Sequence, residues 1–104
     1  MSDVLDKLNE DEIAEAVAAV LGEKGLVAGA VDTGGGMLCV VLERTTGGEI
    51  VWGTADVTWG AIITDDEGEQ VSAIETSCPS DSQDIQAIAA ALFEPSVTNG
   101  ATKS

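Results

Sequence analysis

Met37-Leu38-Cys39-Val40-Val41-Leu42-Glu43-Arg44-Thr45-Thr46-Gly47-Gly48-Glu49-Ile50-Val51-Trp52 is the stretch that decides the fold. Met37–Leu42 is apolar on both faces and β-branched at its centre, the pattern of a buried central strand. Thr45-Thr46-Gly47-Gly48 is a hairpin turn, and Glu49–Thr54 resumes the strand with Ile50, Val51 and Trp52. Strands joined this tightly must run antiparallel.

The same reading extends in both directions. Upstream, Leu26–Val31 is a short apolar run closed by the breaker Asp32-Thr33-Gly34-Gly35-Gly36. Downstream, Val57, Trp59, Ala61 and Ile63 alternate with Thr58, Gly60, Ile62 and Thr64, which is a strand of period two. Asp65-Asp66-Glu67-Gly68 turns the chain again, and Glu69–Thr76 reads as a last strand. The middle of the chain is therefore an antiparallel sheet of four to five strands.

Helix signals flank it. Asn9 and Glu12 form a capping box, Glu10, Asp11 and Glu12 favour the positive end of the helix dipole, and Ile13, Val17, Val20 and Leu21 share one face. Gly22 is the expected stop, and residues 3–8 read as a preceding helical turn carrying Val4, Leu5 and Leu8. Ser80 and Gln83 form a second capping box behind Pro79. Ile85, Ile88, Ala89 and Leu92 follow, and Glu94-Pro95 is the expected end. The order predicts an α+β domain over residues 1–95, with an N-terminal and a C-terminal helix on one face of the sheet. Residues 96–104 are expected to fray as a flexible tail.

Composition bounds the function. The 104 residues carry 19 Asp and Glu against 4 Lys and Arg, a formal charge of −15, and no His. Without imidazole, Ser-His-Asp and Cys-His catalysis are excluded. The charge and a pI near 4.1 disfavour a direct grip on nucleic acid or an anionic membrane. With Phe93 the only aromatic beside Trp52 and Trp59, there is no platform for stacking bases. No run approaches the ~18 apolar residues of a membrane span. The acidic start, Met1-Ser2-Asp3-Val4-Leu5-Asp6-Lys7, lacks the basic and apolar regions of a secretory leader, so a cytoplasmic protein is expected. In that setting Cys39 and Cys78 are read as reduced, Cys39 as an inert core thiol. Cys78 lies near a helix start, where the dipole favours a thiolate, but it has neither a His nor a basic neighbour to make it a nucleophile.

The acids cluster: Asp3, Asp6, Glu10, Asp11, Glu12 and Glu15 near the N-terminus, Asp65, Asp66, Glu67 and Glu69 at a hairpin tip, and Asp81 and Asp84 before the last helix. Helix-dipole compensation accounts for the helix-start acids alone. The total calls for a further cause, because a compact chain of this charge repels itself. In size and charge the chain resembles the small DNA-mimic inhibitors that phages encode against restriction or CRISPR machinery, in which carboxylates imitate phosphates. That likeness implies a non-enzymatic inhibitor of a basic, nucleic-acid-binding protein. Glu10, Asp11, Glu12, Glu15, Asp65, Asp66, Glu67 and Glu69 would pair with Arg and Lys, and Trp59 would be an interface anchor. The alternative is a structural or housekeeping domain from a salt-loving host.

Two local motifs invite other chemistry. Asp32-Thr33-Gly34 resembles the catalytic loop of aspartic proteases, which implies a dimer whose two carboxylates share a proton. The chain lacks that family's hydrophobic-hydrophobic-Gly segment, and Asp, Thr and Gly are ordinary turn residues. Gly34-Gly35-Gly36 lacks the spacing, the following helix and the base of a phosphate loop, and Asp65–Glu69 lacks the alternate ligands of a Ca²⁺ loop. Neither a catalytic residue, a cofactor nor a dedicated metal site is expected.

Overall fold

The computed structural model describes residues 10–32, 38–54 and 57–103, with the backbone alone at Glu10. Helix α1 (Glu10–Glu23) leads into β1 (Ala28–Asp32), β2 (Leu38–Glu43), β3 (Glu49–Gly53), β4 (Thr58–Thr64) and β5 (Gln70–Pro79), and α2 (Ile85–Thr98) follows. The strands form one antiparallel sheet in chain order, the α+β meander that the turn signals predict. Asn9, residues 3–8 and the Gly34-Gly35-Gly36 turn lie outside the described residues.

Period-two alternation sorts the strand residues into two faces. Val40, Leu42, Ile50, Trp52, Trp59, Ala61 and Ile63 point inward and are buried. Against them α1 lays Ile13, Ala14, Val17, Ala18 and Leu21, and α2 lays Ile88, Ala89 and Leu92. Each fully buried Leu or Ile side chain contributes about 1.5–3 kcal/mol, so this single layer of side chains holds the domain together. Among the described residues both helices lie on this face. Met37–Leu42 carries the pattern of a strand covered on both sides, yet among the described residues only one face of β2 is covered.

Both helices run past the ends that the residue pattern suggests, α1 to Glu23 and α2 to Thr98. In α1, Gly22 stays helical and the reversal falls at Gly25, with φ 98°. Gly25 N donates to Gly22 O and Leu26 N to Leu21 O, the paired bonds of a Schellman motif, and Leu26 is driven into the core. In α2 the cap is Asp84, whose side chain accepts from Ala87 N at 3.1 Å, rather than Ser80. The helix then runs through Pro95, although an interior Pro removes one helical bond and costs about 3 kcal/mol. Running through it carries the next residue into the core. Ser96 is fully buried, and its hydroxyl accepts the Trp52 indole N–H at 2.9 Å.

The residues expected to fray are tied in. Gly100 (φ 90°) reverses the chain through a second Schellman motif, in which Ala101 N donates to Ser96 O and Gly100 N to Val97 O. Ala101 is buried, Thr102 N donates to Glu43 O at 2.7 Å, and Val27 N donates to Thr102 O at 2.9 Å. Residues 101–103 thus lie between the exit of α1 and the end of β2, bridging Leu26 to Lys103 and Arg44 to Ala101.

The glycines separate these requirements. Gly22 is exposed, helical and has no atom within 4 Å of an added Cβ, so Gly22→Ala should stabilise by about 0.5–1 kcal/mol. At Gly48 a Cβ would collide with the Thr64 carbonyl, so Gly48→Ala should destabilise by about 2 kcal/mol. Urea midpoints of the two variants should move in opposite directions, and movement in the same direction would refute this account of the tips.

Candidate functional site

Gly47 and Gly48 let two hairpin tips approach each other. A Cβ at Gly47 would press on the Asp66 side chain, and Arg44 N donates to Gly48 O within the β2–β3 turn. In the β4–β5 turn, Asp65 Oδ1 accepts from Glu67 N at 2.9 Å and Glu69 N at 3.0 Å, an Asx arrangement that sets the tip's shape. Between the tips lies a shallow depression of about 350 Å³, lined by Glu43, Glu49, Asp65 and Asp66 along with Arg44 and the glycines. Glu43 and Glu49 are exposed and directly opposite each other across β2 and β3. Like charges in that position oppose each other by about 0.2–1 kcal/mol.

Arg44 relieves little of this. Its Nε donates to Asn99 O at 3.0 Å and its Nη1 to Thr64 O at 2.7 Å. Both acceptors are backbone carbonyls, and Asn99 caps the C-terminus of α2, where a cation suits the helix dipole. The guanidinium is turned inward to brace the fold. Lys24 sits elsewhere, its Nζ 5.5 Å from the centre of the Phe93 ring.

The acids predicted as partner contacts fall into two separate groups. Asp65, Asp66, Glu67 and Glu69 occupy the end of the sheet just described. Asp11, Glu12 and Glu15 are exposed on α1 at the opposite end, where Asp11 Oδ1 accepts from Leu38 N at the start of β2. The six residues of β2 place about 20 Å between the two ends. Among the described residues no single patch joins them, and the Glu10 side chain lies outside those residues. Glu43 and Glu49, which the linear clusters pass over, belong to the hairpin-tip group. Their signal was their place on either side of the Thr45–Gly48 turn.

Trp59 corrects an expectation. It is 3% exposed and shares the inward phase of Ala61 and Ile63, so it fills the core and is no contact for a partner. Its Nε1 is buried and has no hydrogen-bond partner among the described residues, beside a cavity of about 10 Å³ lined by Ile13, Leu38, Gly53, Thr54 and Ser80. Cys39 is also displaced from expectation, because it is half-buried on the outer sheet face and not in the core. Both cysteines are thiols. Burial first, and the Asp84 carboxylate second, raise Cys78 above its ordinary value, so the sulfur stays protonated at neutral pH. Asp32 is exposed at the end of edge strand β1, and Thr33 and Gly34 lie outside the described residues. Among the described residues no three His, Cys, Asp or Glu side chains are gathered to hold a metal ion, and no helix is long and apolar enough to cross a membrane.

Comparison with protein-family models, curated proteins and solved structures finds no match.

The two tryptophans should respond differently to the same change. Trp52→Phe strands the buried Ser96 hydroxyl and should cost about 1–3 kcal/mol more in a urea melt than Trp59→Phe, which removes an unsatisfied donor. Equal losses would show that the Trp52–Ser96 bond contributes nothing. In a Cys39→Ser background, alkylation of Cys78 by iodoacetamide should be slow at neutral pH and accelerate as pH rises. Asp84→Asn, which keeps the helix cap, should speed it. A rate at neutral pH equal to that of an exposed thiol would contradict the raised value.

Proposed function

We propose that this chain is a non-enzymatic, acidic binding protein that acts in the cytoplasm by docking its carboxylate end on the basic, nucleic-acid-binding face of another protein. One observation carries the reading. The hairpin tips collect Glu43, Glu49, Asp65, Asp66, Glu67 and Glu69 around a single base, Arg44, whose hydrogen bonds go to carbonyl oxygens, so the carboxylates far outnumber the cation. Phosphates along duplex DNA lie about 1.7 Å apart per axial step, so an end of this size offers several anionic positions to a groove built for a phosphate backbone. Charge of one sign also steers encounter and raises the association rate.

A functional role accounts for a cost that the fold alone leaves unexplained. Strand pairs favour opposite charges, and a Lys in place of Glu49 would satisfy Glu43 directly. The reading therefore predicts a trade-off. The combination Glu43→Gln, Glu49→Gln, Asp66→Asn and Glu67→Gln should raise the urea midpoint and weaken partner capture about tenfold.

Capture on the immobilised chain, with the retained protein identified by mass spectrometry, tests this directly. Retention should fall steeply between about 50 and about 200 mM salt, and duplex DNA should elute the partner. Retention indifferent to salt, or a partner that DNA cannot displace, would sink the proposal. A chain that melts cooperatively only in molar salt would point instead to a domain adapted to a salt-loving host.

A further inference from the structure

The outer face of the sheet is the larger unexplained surface. Pairing aligns Gly29, Val41, Val51, Ile62 and Ala73 in one continuous row across all five strands. Val31 and Cys39 form the next row, and a Cβ at Gly53 would lie 3.6 Å from the Cys39 sulfur. Ile62 is 46% exposed and Val31 47%. An antiparallel sheet with one wet face ordinarily alternates apolar inside with polar outside. Here the outside is apolar at its centre, and its charges, Glu43, Glu49 and Glu75, stand at the margin.

We infer that this face is a docking surface for a protein partner presenting an apolar strip flanked by Lys or Arg. The inference takes the sign of the partner's charge from the acidic-binder reading and adds a second, apolar contact continuous with the carboxylate end. Two quantities choose this occupant over a second copy of the chain. Five strands about 4.8 Å apart and about five residues deep give a face of roughly 400 Å², near half of the ~800 Å² per partner of a stable interface. The charges on this face, Glu43, Glu49 and Glu75, are all of one sign, and a second copy presents the same three carboxylates and no cation to match them. A cationic partner instead extends its contact from Val51 and Ile62 onto Glu43 and Glu49, and reaches the needed size where its own charge is matched.

Synthetic peptides separate the two contributions. One alternates lysine with valine; its control replaces each valine with serine and keeps the charge. At one salt concentration the valine peptide should bind about tenfold tighter to the intact chain than the control. The double variant Val51→Thr, Ile62→Ser should erase that advantage while leaving control binding unchanged; pairing along a sheet edge would not respond to it. Retained cooperative melting confirms that the variant folds, and Val31→Ser at the rim provides the same test should the double variant unfold. Equal affinity of the two peptides for the intact chain overturns the docking face and leaves the carboxylate reading standing. Failure of both to bind at low salt overturns both. A dimer in sedimentation equilibrium that the double variant converts to monomer would reassign the face to self-association.

Discussion

The bond from the Trp52 indole to Ser96 is the contact on which the arrangement of the helices depends. Trp52 lies at the centre of the sheet and is fully buried, so its N–H requires a partner inside the core. Ser96 supplies one only if α2 continues past Pro95, and the helix does so. Continuing the helix brings Gly100 to the point where the chain must reverse, and that reversal places residues 101–103 between the exit of α1 and the end of β2. Asn99 thereby presents its carbonyl to Arg44. A hydrogen bond contributes about 1 kcal/mol net; its larger effect here is to fix which of several helix lengths the sequence adopts.

The same geometry explains why the acids at the hairpin tips go unneutralised. Arg44 is the one base in the depression they line, and it gives its Nε and one Nη1 hydrogen to the Asn99 and Thr64 carbonyls, so a single cation stands among several carboxylates. The tips are held close by glycines, which contribute no bulk between them, so the carboxylates are brought together by backbone requirements and not by attraction to a cation. Fold and charge are therefore separable in this molecule. The core would survive neutral tips, and the tips gain nothing for the core.

The sheet was legible because its signals are local. Alternation from Val57 to Thr64 and the Gly47-Gly48 pair each specify their own structure without reference to the rest of the chain. Helix ends were not, because several residues within one turn satisfy the same local rule. Gly22 and Gly25 are both competent stops, and the choice falls on Gly25 because Leu26 is then delivered into the core. Ser80 and Asp84 are both competent caps, and Pro95 is a terminator in every local sense until the buried hydroxyl beyond it is considered. The inward phase of Trp59 was present in its alternation with Ala61 and Ile63. The separation of the acidic groups was not, since a linear chain does not reveal which end of the sheet a helix begins at. Glu43 and Glu49 became neighbours only once the hairpin register was fixed.

The two borders of the sheet are unequal. β1 is five residues long, and residues 101–103 insert between its lead-in at Leu26 and Val27 and the end of β2 without running along its free side. β5, ten residues long, is left open, yet its pairing with β4 slips at two places, it carries Glu75, and it closes on Pro79. Irregular pleating, negative charge and a missing amide donor are the features that keep one border from zipping onto another. With these devices at the β5 border, a sheet whose outer face is apolar among the described residues is guarded on that side against strand-to-strand growth.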